Sequence, residues 1–193
     1  MEKHSRLIAA SLVLVFVFVG ATGAKSRVPV SQDNETPTNF ALTDQDGKPF
    51  QLSQLRGKAV LLFFGYTSCP DACPTTLAKL TRVYKLLGRD AENVVTIFVS
   101  VDPERDTPSV LKKYLEYFRV NSRGLTGTKD EIDVVVKQYG ARYEFEKSDS
   151  AAGYHVNHST DLYLLNQKGE LAHRFAYEGR QQEIADEIRK VVH

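Results

Sequence analysis

Two apolar runs, Val60-Leu-Leu-Phe-Phe64 and Val94-Val-Thr-Ile-Phe-Val-Ser-Val101, lack the alternation of a half-exposed strand. Their length and β-branched or aromatic content predict strands buried on both faces. Between them Leu77, Leu80, Val83, Tyr84 and Leu87 recur at helical spacing and Gly88 ends the pattern, which predicts a helix over 75–87. Strand, helix and strand in that order form a parallel crossover. Ahead of them, 39–43 and 49–52 flank Asp46-Gly47 and predict a hairpin.

Downstream, Asp102-Pro-Glu-Arg-Asp-Thr-Pro108 reads as a loop with its own ion pairing. Thr107 caps the next helix, Pro108 suits its first turn, and the pattern runs to about 118. Thr128-Lys-Asp-Glu131 is a capping box that opens a helix through 139, closed by Gly140. The polar stretch 144–156, with Gly153, predicts a mobile loop that becomes ordered when a neighbouring ligand is recruited. Residues 161–166 and 170–176 form a hairpin across Lys168-Gly169, and 181–192 form a last helix with Ile184, Ile188 and Val191 on one face. This order predicts an α/β, thioredoxin-like fold: a central mixed sheet, helices on both faces and an N-terminal hairpin.

The first residues differ from the rest. Residues 1–6 are mildly basic, 7–19 are apolar except for Ser11, and Gly20-Ala-Thr-Gly-Ala24 follows. This is an export signal, either cleaved after Gly23 or Ala24 or retained as a membrane anchor over 7–24, the reading favoured here. Residues 25–37 then read as a linker and 38–193 as one folded domain on the extracytoplasmic face of a membrane, periplasmic in a bacterium. The 193 residues are 42% hydrophobic and 25% charged with a net charge of +1, so no nucleic-acid footprint is present.

Export matters because of the two cysteines, Cys69 and Cys73, the only ones in the chain. Outside the cytoplasm a thiol pair must be kept reduced, protected by metal or used as a disulfide. A loop this short closes little chain entropy, so a structural staple is disfavoured against soft-metal binding or electron exchange. Pro74 fits the first helical position, which makes Cys73 the expected helix cap and turns free amides towards the thiols, favouring thiolate. Three intervening residues, where thioredoxin-type pairs have two, give a bite suited to one ion, though a disulfide is still permitted. A third ligand would be an imidazole, which serves Cu(I) and Cu(II) alike. His4 lies in the signal, His193 is terminal, His173 falls in the last hairpin, and His155 and His158 precede a strand. On pattern alone a histidine before a strand is more often structural than a ligand.

Three blocks together, Gly65-Tyr-Thr-Ser-Cys-Pro-Asp-Ala-Cys-Pro74, Ser100-Val-Asp-Pro-Glu-Arg-Asp-Thr-Pro108 and Val156-Asn-His-Ser-Thr-Asp-Leu-Tyr-Leu164, resemble the Sco/SenC family from about Phe40 onward. The resemblance implies a membrane-tethered copper protein that helps assemble the binuclear CuA site of cytochrome c oxidase, with subunit II as partner. It implies Cys69, Cys73 and His158 as metal ligands and leaves His155 outside the set. It also places His158 on the loop where thioredoxins carry a proline, and this chain has no proline after Pro108. Asp71 is read equally as a first-turn carboxylate and as a group that tunes copper or meets the partner. The 102–107 loop is read first as structural, with a supporting or docking role open. The leading functional reading is a copper metallochaperone. The alternative is a thiol-disulfide reductase in which Cys69 and Cys73 exchange with partner cysteines. A peroxidase is disfavoured because Leu62-Phe-Phe-Gly-Tyr66 lacks the proline and threonine expected ahead of its cysteine, and a zinc hydrolase because no general base is evident.

Overall fold

The computed structural model describes residues 39–149 and 153–193. The expected anchor and linker lie outside the described residues, among which no helix is long and apolar enough to cross a membrane. The strands are β1 Ala41–Asp44, β2 Pro49–Gln51, β3 Ala59–Gly65, β4 Val94–Ser100, β5 Ser122–Thr126, β6 Tyr143–Lys147, β7 Tyr154–His158, β8 Leu162–Leu165 and β9 Leu171–Phe175. The helices are α1 Ala72–Leu87, α2 Pro108–Glu116, α3 Lys129–Gln138 and α4 Gln181–Val192.

Seven strands form one sheet in the order β2-β1-β5-β4-β3-β8-β9. β3, β4 and β5 run parallel, while β1 on one side and β8 on the other are antiparallel to their neighbours. Strand alternation sends Val60, Leu62, Phe64, Ile97 and Val99 to one face, under Ile132, Val135 and Val136 of α3. Leu61, Phe63 and Phe98 go to the other, under α1, α2 and α4 through Leu77, Leu80, Leu111 and Ile184. The mixed sheet, the two helical layers and the N-terminal hairpin are therefore as expected from sequence.

The structure differs from the sequence reading at three points. The first is β5, which had no strand reading because Ser122 and Arg123 are polar and Gly124 has no side chain. Its glycine answers to packing: a Cβ there would lie 2.9 Å from Leu115 Cδ1 and 3.0 Å from Leu111 Cβ. The second is α2, which ends at Glu116 rather than about 118. Its last turn tightens, with the amides of Tyr117 and Phe118 donating to the carbonyls of Tyr114 and Leu115.

The third is the expected mobile loop over 144–156, most of which is a regular antiparallel ribbon of β6 and β7 pairing Phe145 with Val156 and Tyr143 with His158. It is polar because only one face is covered. Tyr143, Phe145, Tyr154 and Val156 share that face, with ring centroids 5.7 Å apart for Tyr143–Phe145 and 5.3 Å for Phe145–Tyr154. Glu144, Glu146, His155 and Asn157 fill the opposite, exposed face. His158 is thus positioned by strand pairing, not by closure of a mobile segment.

Candidate metal centre

The parallel strands β3 and β4 end side by side, with Gly65 opposite Ser100, and the chain leaving β3 carries the thiols. The backbone amide of Cys69 donates to the Tyr66 carbonyl at 3.2 Å, and α1 begins two residues after Pro70. The expected cap is corrected here. Asp71, not Cys73, is the cap residue, because its carbonyl already accepts the Thr75 amide at 3.1 Å. Cys73 and Pro74 consequently lie inside the first turn, and Cys73 is buried over Gly65. A Cβ on Gly65 would collide with Cys73 Sγ and come within 2.7 Å of Phe98, so only glycine lets the thiol pack against the strand end.

β7 brings His158 to the same place. Its Nε2 lies 3.6 Å from Cys73 Sγ and 3.9 Å from Cys69 Sγ. Its Nδ1 is 2.9 Å from the Ser159 carbonyl, to which it donates. That hydrogen bond orients the ring so that Nε2 is the nitrogen turned towards the sulfurs. The three ligand atoms lie within 4.8 Å of one another, and no other such group of three occurs among the described residues. His155, three positions from His158 along β7, lies on the other face of the ribbon opposite Glu146, outside the group of three donors, although both residues line the pocket beside Cys69 and His158. His173 stacks on Phe175, with centroids 4.3 Å apart, and His193 meets Asp90. His4 lies outside the described residues.

The two thiols are electrostatically unequal. Cys69 is held down at about 3 by the hydrogen bond from the Cys73 thiol, with His158 and the amides of Cys73 and Asp71 outweighing partial burial. Cys73 is pushed up by giving its proton to that bond, by burial and by the adjacent negative charge. The pair therefore holds one proton, on the buried sulfur, and presents one thiolate, on the half-exposed sulfur. This departs from the expectation that the helix end would activate both. Iodoacetamide should modify Cys69 alone, at a rate nearly flat from about pH 5 to about pH 8, because the thiolate is the nucleophile. A rate rising about tenfold per pH unit across that range, as for an ordinary thiol near 8.5, would contradict the assignment.

The 102–107 loop braces this arrangement. Asp106, fully buried, accepts from Thr67 N–H at 2.9 Å, Thr67 Oγ at 2.6 Å and Ser100 Oγ at 2.6 Å, tying the thiol turn to the end of β4. Asp102, also buried, pairs with Arg105 and accepts from the Tyr154 hydroxyl at 2.8 Å. The Arg105 guanidinium lies 3.8 Å from the Tyr154 ring centroid and 5.5 Å from that of Tyr66, and donates to the Tyr154 carbonyl at 3.2 Å. Tyr66 receives the Val156 amide on its hydroxyl at 3.4 Å and meets the His158 ring edge-on at 5.8 Å. The internal ion pairing read from sequence is present. Its attachment to the histidine strand through Tyr66 and Tyr154 was not foreseen, and no local pattern signals it. Asp71 accepts from Thr75 Oγ at 3.0 Å, as a first-turn carboxylate would.

A thioredoxin-like sheet with two thiols at a strand-to-helix turn and an imidazole facing them defines a dithiol protein equipped for soft-metal or redox chemistry. The SCO1/SenC family model matches residues 28–193, and the chain belongs to that family. The SCO2-like protein of Rickettsia felis is 34% identical over 165 residues, covering 84% of this chain and 80% of its own length. The structure of ScoI from Bradyrhizobium japonicum with copper bound is 38% identical with a TM-score of 0.72, covering 79% of this chain and 97% of that one. BsSco, a member of the Sco family of cytochrome c oxidase assembly proteins in which a disulfide switch was identified, is 28% identical with a TM-score of 0.64, covering 80% and 91%.

Proposed function

We propose that the chain is a copper metallochaperone, with Cys69, Cys73 and His158 as ligands, that delivers copper to the CuA site of cytochrome c oxidase subunit II. The observation that carries this reading is the convergence of two sulfurs and one imidazole nitrogen within 4.8 Å. Thiolate and imidazole donors reach metals at roughly 2.0–2.3 Å, so three donors that close need little movement to share one ion. The donor set suits Cu(I) through its sulfurs and Cu(II) through its nitrogen. The copper-bound relative and the oxidase-assembly relative support the cargo and the destination. The segment 7–24 tethers the domain to the extracytoplasmic face of a membrane.

In this reading each residue has a distinct part. Cys69, already a thiolate and half-exposed, meets the incoming ion first. Cys73 gives up its proton to solvent as its sulfur joins, and His158 supplies nitrogen from the braced ribbon. Delivery runs in reverse, with acceptor ligands displacing the exposed Cys69 before the buried Cys73. Mixing the copper-loaded full chain with copper-free CuA domain, followed by oxidation with ferricyanide, should produce the purple CuA spectrum, and an acceptor that holds no copper after separation from the loaded chain would count against the destination.

The unequal thiols favour a second reading, a thiol-disulfide reductase. The Cys69 thiolate would attack a partner disulfide to form a mixed disulfide and release one partner thiolate. Cys73, losing its proton, would then attack Cys69 and release the second partner thiolate, leaving this chain oxidised. Its substrate can be the acceptor's own cysteines, so both activities can serve one partner.

A further inference from the structure

The β6–β7 ribbon has one edge that is used and one that is not. The Ser148 amide donates to the Gly153 carbonyl and the Ser159 amide to the Arg142 carbonyl. With the register of the pair, these bonds set Glu144 and Glu146 as the residues of β6 whose amides and carbonyls face β7. Tyr143, Phe145 and Lys147 turn theirs the other way. On the far side of β7 the outward groups are engaged, Val156 N–H by the Tyr66 hydroxyl and the Tyr154 carbonyl by Arg105. On β6 the outward groups of Tyr143, Phe145 and Lys147 have no backbone or side-chain partner among the described residues.

Beside that open edge lies a groove of about 920 Å³, lined among others by Pro103, Gly127, Lys129, Phe145, Lys147 and Tyr154. Phe145 is 41% exposed into it. The volume accommodates several side chains rather than one. On the opposite face of the ribbon, Glu144 and Glu146 are exposed and form no ion pair with any described cation, opposing Asn157 and His155 across the strands.

We propose that β6 is a docking edge for an extended segment of a partner polypeptide, in which apolar and basic residues alternate, added as a third strand of the ribbon. Main-chain hydrogen bonds to Tyr143, Phe145 and Lys147 give the affinity. Side chains on one face of the added strand enter the groove against Phe145 and Tyr154, which calls for apolar residues. Those on the other face lie beside Glu144 and Glu146, which calls for lysine or arginine. A second copy of this chain is disfavoured, because antiparallel self-pairing centred on Phe145 sets Glu144 against Glu146 of the second copy. The docking edge operates whatever ion the thiols hold.

The test uses the full chain and a synthetic peptide of about seven residues alternating lysine and valine, long enough to span the edge. Amide hydrogen exchange at Tyr143, Phe145 and Lys147 is expected to slow by about tenfold or more, while Glu144 and Glu146, already paired, change little. The same peptide N-methylated on the amides that face β6 keeps its charge and is expected not to bind. Glu144→Lys combined with Glu146→Lys changes only exposed side chains, and should weaken the cationic peptide by about tenfold or more and favour a glutamate–valine peptide. Equal binding of the N-methylated peptide, or no protection of the three amides, would overturn the proposal. Protection that instead grows with chain concentration in the absence of peptide would assign the edge to a second copy and overturn it as well.

Discussion

Replacing either Cys69 or Cys73 by alanine is expected to abolish tight copper binding. Each substitution removes one of two sulfurs from a three-donor set, leaving one thiolate and one imidazole. The loss should exceed the roughly 10–100-fold that follows when only a supporting contact of a ligand is removed. The two variants should nevertheless differ in other respects. Cys69→Ala leaves the fold intact, because Cys69 is half-exposed. Cys73→Ala also opens a small void over Gly65 and against Phe98, so its melting temperature should fall while that of Cys69→Ala stays close to the parent. Copper affinity in either variant within about tenfold of the parent would remove that sulfur from the site.

His158→Ala is expected to separate the two oxidation states. Two thiolates alone hold a soft Cu(I) ion in a linear arrangement, whereas Cu(II) depends on the nitrogen donor. Cu(II) affinity should therefore fall by more than about 100-fold and Cu(I) affinity by much less. Reduction of a small disulfide substrate should largely survive, because Cys69 keeps its strongest support, the hydrogen bond from Cys73. Anaerobic competition with chelators of each ion measures the first effect and thiol release measures the second. Equal, unaltered binding of both ions would exclude His158 as a ligand.

What the chain discloses in advance follows the range of the forces involved. β3, α1 and β4 are written in unbroken apolar runs and a helical repeat, and the capping box at Thr128 is closed by Glu131 in both directions, at 3.3 Å and 2.8 Å. These are local signals. β5 is hidden because its key residue is a glycine chosen for what α2 needs. The ribbon is hidden because aromatic rings and the Arg105 guanidinium cover it in place of aliphatic side chains. The thiol turn is legible on its own, and the internal pairing of the 102–107 loop is too. The place of His158 is not, since only the pairing of β8 with β3 and of β7 with β6 brings it to sulfurs 85 and 89 residues away in the chain. Resemblance singled it out where periodicity and spacing did not. The split between a thiolate at Cys69 and a thiol at Cys73 was equally out of reach, because it depends on which sulfur is buried.

Anaerobic titration of the reduced full chain with Cu(I), set beside the same titration after Cys69 and Cys73 have been joined as a disulfide, tests the copper site most directly. Metal binding requires deprotonated sulfur, and a disulfide offers none. The expected result is tight uptake of one copper per reduced chain and no tight uptake by the oxidised chain, with uptake restored on reduction. Equal, tight and stoichiometric uptake by the oxidised chain would contradict a site built on Cys69, Cys73 and His158.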